Sequence, residues 1–246
     1  MHQKNPLTQS TLEIRPSAIS RRAFIAGLLS LPVAACSNIG FDQSVTRALP
    51  SFAQNITRAV LFYLAGLPDY PISRDIVNNL PYASMAAKIG KGPHSLLVLW
   101  RRERDDLHWL SADNAVLVTR GGRVVKTAGL SENIRDTIFI GADPVAAGLH
   151  HGASGITSKR TLDIEPGQYT LPVDSTFEVR GPRRITITEI DFDTILVVER
   201  NVAQTVNWSF NNLYWVDPAD GFVWKSRQHI ARGFPPAVIE MLKPAA

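Results

Sequence analysis

Cysteine occurs once in the 246 residues, at Cys36, directly after Val33-Ala34-Ala35. Small residues ahead of a lone cysteine have the pattern of a lipobox. In that pattern the thiolate accepts a diacylglyceryl group. Cleavage ahead of the cysteine then frees an amine that takes a further acyl chain. One chain holds a protein to a bilayer only marginally, at about 0.8 kcal/mol per buried methylene, whereas two or three make the anchor effectively permanent. A single cysteine also excludes an intrachain disulfide. The rest of the chain must be held by its core alone, and it is long enough for that.

Two further signals precede the cysteine. Ser20-Arg21-Arg22-Ala23-Phe24-Ile25 resembles the twin-arginine export motif. Paired arginines also precede ordinary secretory signals, so Arg21 and Arg22 leave two export routes open. Phe24–Ala35, interrupted by Gly27 and Pro32, matches the apolar region of a signal peptide and is too short to span a bilayer. Residues 1–35 therefore read as a cleaved signal. Ser37, where an aspartate would resemble an inner-membrane retention signal, favours the outer membrane, facing the periplasm. Residues 36–50 read as the lipidated cysteine and a flexible tether with a root-mean-square reach of roughly 20 Å.

Other residue types invite chemistry without the spacing to support it. His150 and His151 are adjacent, and neighbouring side chains on a strand diverge. No His, Asp or Glu cluster around them has metal-ligand spacing. Asp191 and Asp193 flank Phe192 and could share one strand face, as paired acid and base carboxylates do. Solvated positions near a turn are the commoner explanation. Gly148–Gly155 lacks the Gly-Lys-Ser/Thr ending of a phosphate loop. Trp208, Tyr214, Trp215 and Trp224 gather near the end of the chain. Trp208 and Trp224 fall on the more apolar side and read as core. Trp215 sits among polar neighbours and is the candidate to touch a sugar ring or a lipid. No cofactor is expected beyond the covalent lipid on Cys36.

Composition narrows the partners. Charged residues make up 20% and hydrophobic residues 45%, ordinary for a globular domain. The net charge is +4, but Lys4, Arg15, Arg21 and Arg22 against Glu13 place three of those charges in the signal. A nearly neutral remainder lacks the concentrated cationic surface that nucleic acid requires.

The elements that must position these residues are mostly strands. Ser51 and Gln54 have capping-box spacing, and Phe52, Ile56, Val60, Tyr63 and Leu67 recur at helical period. One amphipathic helix is expected there, packed on the core. From Tyr82 onward short apolar runs alternate with turn residues. Ser95–Trp100 precedes a charged hairpin at Arg101–Asp106, and Gly121-Gly122 joins Ala115–Thr119 to Arg123–Thr127. Pro166-Gly167 separates Thr161–Ile164 from Tyr169–Leu171, and Arg183–Ile190 and Thr194–Arg200 follow. In Val206–Val216, Val206, Trp208, Phe210, Tyr214 and Val216 share one side. The turn Asp217–Gly221 then returns the chain through Phe222, Trp224 and Ile230 on alternate positions. Gly233–Met241 is expected to form a closing turn and short helix. Residues 51–246 thus read as a single, mainly β domain. The expected architecture is an antiparallel meander forming a sandwich or an open half-barrel, with one N-terminal helix packed on it.

Four stretches carry more than pattern: Pro81-Tyr82-Ala83-Ser84, Ile89-Gly90-Lys91-Gly92-Pro93, Asp113–Leu130 and Tyr214–Gln228. As a set, with the lipobox, they resemble the YjbF/GfcB lipoproteins of exopolysaccharide and group 4 capsule loci, over about Ile56 to Ile230. The resemblance implies an outer-membrane lipoprotein acting in polysaccharide export. It also implies an outer-membrane β-barrel, a second periplasmic protein and the polysaccharide as partners. Only Cys36 carries over as a family position, and no catalytic residues do. Two other functions stay open on the residues alone. A carrier or chaperone for an acylated ligand would need an apolar cavity. A glycan hydrolase would need Asp191, Asp193, His150 and His151 to converge.

Overall fold

Alternation of buried and exposed side chains marks a strand with one wetted face, and Trp208–Val216 follows it. Trp208, Phe210, Tyr214 and Val216 are buried, while Ser209 and Asn211 are exposed. The computed structural model describes residues 72–149 and 154–245, apart from the side chains of Gln168 and Tyr169. The signal with Arg21 and Arg22, Cys36 and its tether, the helix expected from Ser51 to Leu67, and the pair His150 and His151 lie outside the described residues.

The described chain forms β1 (Ser84–Ile89), β2 (Ser95–Glu103), β3 (Asp106–Ser111), β4 (Val116–Arg120), β5 (Arg123–Ala128) and β6 (Asn133–Ile140). After a loop come β7 (Thr157–Glu165), β8 (Gln168–Ile187), β9 (Ile190–Ala203), β10 (Trp208–Val216), β11 (Val223–Gln228) and β12 (Ala237–Lys243). All twelve join one antiparallel sheet in the order β5-β4-β3-β2-β1-β12-β11-β10-β9-β8-β7-β6. The two ends of that order, β5 and β6, are consecutive in sequence and lie against each other. Side chains join them: Thr137 Oγ1 donates to the Val125 carbonyl at 2.8 Å, and Ile134 N donates to Thr127 Oγ1 at 2.9 Å. The sheet is therefore a nearly closed barrel, more closed than the expected half-barrel. The two edges thereby cover one another through side chains instead of through a backbone ladder.

Most of the interior is one apolar cluster. Met85, Leu97, Trp109, Leu117, Ile164, Phe210 and Ile239 meet there. Trp109 is fully buried, and its Nε1 donates to Thr119 Oγ1 at 2.8 Å, as a buried indole must. The β4–β5 hairpin is covered on both faces, with Leu117, Val118 and Thr119 buried in a row and then Arg123, Val124 and Val125. A second cluster packs Val145 and Leu149 of the 141–149 loop against Phe177, Val197 and Val216. A third lies around Val77 of the short helix α1 (Arg74–Asn79), with Ala86, Ile187 and Leu242. All three clusters lie within 72–242, inside the compact unit Ile56–Ala246.

Two local expectations fail and a third holds in part, for identifiable reasons. Ala237–Lys243 is a strand rather than a short helix, because β1 and β11 flank it with open ladders on both sides. Pro235 and Pro236 have no N–H to donate, which discourages a helix there. Arg183–Ile190 is not one strand. Thr188 and Glu189 take φ of +45° and +70° and form the tip of the long β8–β9 hairpin. Trp224 packs as core, but not on the face of Trp208. A bulge shifts the β10–β11 register between Trp215 and Val216, so Val223 and Ser226 are buried on one side while Trp224 lies against the third cluster, beside Phe192 at 4.2 Å between ring centroids.

Candidate functional site

Glu199 lies mid-strand in an apolar run, on the same alternate positions of β9 as Ile195, Val197, Asn201 and Ala203. That parity aims its carboxylate into the interior, where it is completely buried. Burying an unpaired charge is prohibitive, and five donors surround it. Arg123 Nη1 and Nη2 donate to its two oxygens at 3.0 and 2.9 Å. Arg160 Nη1 reaches Oε1 at 2.9 Å, Asn212 Nδ2 reaches Oε2 at 2.9 Å, and Tyr214 Oη reaches Oε2 at 3.1 Å.

Asp143 closes the charge balance. Arg123 Nε donates to Asp143 Oδ2 at 2.8 Å, so two guanidiniums meet two carboxylates. Arg160 also donates to Ser175 Oγ and Asn201 Oδ1, at 2.6 and 2.9 Å. Burial pushes the Glu199 carboxyl up, but the Arg123 and Arg160 charges outweigh it and hold the group well below the usual carboxylate range. Burial raises the Tyr214 phenol well above its ordinary value, keeping it a neutral donor. Five donors and complete burial leave the Glu199 carboxylate no solvent-exposed oxygen.

The network does position a cleft. Asp143 Oδ1 accepts Val145 N at 3.0 Å, which pins the 141–149 loop to the Arg123 side chain. Gln228 Nε2 donates to the Gly122 carbonyl at 2.8 Å, and its Oε1 accepts Val124 N at 3.0 Å. The Gly121-Gly122 turn is thereby wedged between that loop and β11. A Cβ on Gly122 would lie 2.4 Å from Val223 Cβ, and one on Gly121 would lie 2.5 Å from Ala146 Cα. Beside this wedge opens a cleft of about 310 Å³, lined by Met85, Leu107, Val145, Phe222, Val223, Ile239 and Met241. Its few polar lining residues include Thr119, Asp220, Lys225 and Ser226.

A larger depression of about 530 Å³ lies along Glu103–Asp106, His108, Arg120 and Lys126. Several of its charges are already paired. Arg120 pairs with Asp106 through bonds of 2.6 and 3.0 Å, and Lys126 lies 3.3 Å from Asp136. The smaller cleft is the better candidate because its walls are apolar and its shape is held from beneath.

The residues singled out in the sequence are dispersed. Asp191 and Asp193 do lie on one exposed side of β9, each engaged by the facing strand. Thr186 Oγ1 donates to Asp191 at 2.7 Å, and Arg184 Nε donates to Asp193 at 2.8 Å. Trp208 stacks on Phe210 at 3.9 Å in the interior. Trp215 is half-buried on the outer face of the sheet, with Lys225 Nζ 5.7 Å from its ring centroid. The indole most open to solvent is Trp100, 62% exposed, at a register shift between β2 and β3. Arg123, Asp143, Arg160 and Glu199 were not anticipated. The readable signal was parity, since Glu199 shares the face of Val197 and Arg160 shares that of Leu162 and Ile164.

Two of the stretches that carry the family resemblance converge on this site. Asp113–Leu130 supplies Gly121, Gly122, Arg123 and Val124, and Tyr214–Gln228 supplies Tyr214, Val223 and Gln228. Residues 57–242 match the family described as group 4 capsule polysaccharide lipoprotein gfcB, YjbF. Two relatives in Escherichia coli K12 are both described as uncharacterized lipoproteins. GfcB is 29% identical over 72% of this chain and 83% of its own length. YjbF is 27% identical over 74% of this chain and 85% of its own. The crystal structure of the hypothetical lipoprotein YmcC from Escherichia coli K12 superimposes with a TM-score of 0.65 at 25% identity, covering 85% of this chain and 100% of that one. With the match spanning the described β-body almost from end to end, the chain belongs to the YjbF/GfcB family of capsule-locus lipoproteins.

Proposed function

We propose that this chain is a non-catalytic, lipid-anchored accessory factor in the assembly or export of an exopolysaccharide or capsule. Its fatty chains sit on Cys36, and it faces the periplasm from the outer membrane. An outer-membrane β-barrel and a second periplasmic protein are its partners, with the polysaccharide as a further contact. Arg21 and Arg22 belong to its export signal, which serves either the twin-arginine or the general secretory route. The observation that carries the reading is the family match over 57–242, together with the lone cysteine behind small residues at 33–36.

The site chemistry supports a non-catalytic role. The buried Glu199 is saturated with donors, and Asp191 and Asp193 are exposed and tied to Thr186 and Arg184. A hydrolase would instead set two carboxyls across an open cleft. The test is deletion of the gene followed by weighing of secreted polysaccharide. Output should fall, the intact gene should restore it, and a Cys36→Ser copy should not. Unchanged output on deletion would remove the proposal.

A further inference from the structure

We infer that the cleft between the Gly121-Gly122 turn, the 141–149 loop and β11 is a binding site for one flexible alkyl chain, of the kind carried by a fatty acid. This goes beyond the accessory role and does not depend on it.

The walls argue for the chemistry. The half-buried Leu107, Phe222, Trp224 and Met241 present hydrocarbon, aromatic and thioether surface, backed by the buried Met85, Val145 and Ile239, and Gly121 and Gly122 add no side chain of their own. Sugar recognition needs several converging polar groups, whereas a chain needs only dry walls. Met241, unbranched, polarizable and only half-buried, can follow a ligand that bends.

The size argues for the length. The cleft holds about 310 Å³. A methylene takes roughly the room of one water, about 30 Å³, which allows about ten methylenes. The site is also preformed. The charged network fixes its loop through Asp143 and its turn through Gln228, so little ordering is left for a ligand to impose.

A chain starting at Ser37 retains every strand and core cluster of the described residues, and it lacks the cysteine proposed to carry lipid. Straight-chain carboxylates of six to sixteen carbons would be titrated into it by calorimetry, below their micelle concentrations. One saturable site is expected. Affinity should rise by up to about fourfold per added methylene and level off near ten to twelve carbons. Ala147 lines the cleft and is exposed, so Ala147→Trp should obstruct it without disturbing the core. That variant should bind dodecanoate at least tenfold more weakly, and Ala147→Ser should bind it as the unaltered chain does. Absence of saturable binding, affinity that climbs steadily to sixteen carbons, or equal binding by Ala147→Trp would each overturn the inference.

Discussion

Arg123 and Glu199 are 76 residues apart in sequence and form a two-pronged, fully buried ion pair, at 3.0 and 2.9 Å, between β5 and β9. β5 is one end of the sheet order, and β9 lies deep in the other half. The pair ties the terminal hairpin of the sheet to the opposite wall. Arg123 also sits 5.3 Å from the Phe139 ring centroid on β6, at the far end of the order.

Removing one partner leaves the others buried and uncompensated. Glu199→Ala strands Arg123 and Arg160 in the interior and should cost about 3–5 kcal/mol. The midpoint of urea unfolding would read the loss. A change below about 1 kcal/mol would mean that water reaches the network. Replacing the whole set by apolar residues of similar volume should cost far less than this single change.

The same pair predicts acid sensitivity. The folded pKa of Glu199 lies below its ordinary value of 4.5, so the stability it contributes is fully present above that value. It is lost as pH falls below about 4.5, because the unfolded chain then binds a proton that the folded chain resists. Unfolding midpoints taken between pH 7 and pH 2 should fall steadily below about 4.5. Glu199→Gln should be less stable at neutral pH and show a shallower acid decline. Parallel curves for the two proteins would contradict the assignment.

Gly122 occupies the left-handed region, at φ +91°, and touches Val223 where a Cβ would stand. Gly122→Ala meets both problems and should destabilise by more than about 1 kcal/mol. Gly141 has a similar φ of +90° but open space around it, so Gly141→Ala isolates the backbone contribution alone. Thermal midpoints should fall further for Gly122→Ala than for Gly141→Ala. Equal falls would show that the contact with Val223 is not tight.

Cys36 is the sole attachment point proposed for lipid. Cells fed labelled palmitate should incorporate label into the unaltered chain and none into Cys36→Ser, read on a gel after immunoprecipitation. Label retained by the serine form would end the anchoring proposal.

Of the five tryptophans, Trp100 is the one exposed among the described residues, and Trp109 is sealed. Trp100→Phe should therefore remove most of the iodide-quenchable fluorescence while changing stability by less than about 0.5 kcal/mol. Little change in quenching would place the accessible indole elsewhere, with Trp215 first in line.

Local physics made much of this protein readable from its residues. Gly121-Gly122 forms the hairpin turn it should, because two consecutive positive φ angles suit the twist of paired strands. Trp208, Phe210, Tyr214 and Val216 face inward as their spacing requires, since strand side chains alternate regardless of what they meet. The family could be named because four stretches, Asp113–Leu130 and Tyr214–Gln228 among them, are specific as a set with the lipobox. What tertiary structure alone decided is who meets whom. A carboxylate at 199 and guanidiniums at 123 and 160 carry no mark of partnership until closure of the sheet brings them within 3 Å. Trp224 joined the third cluster beside Phe192 of β9, away from the face of Trp208, and Ala237–Lys243 became a strand because two ladders awaited it. Each of these outcomes depends on contacts between distant segments, and their energies do not exist until the chain has closed.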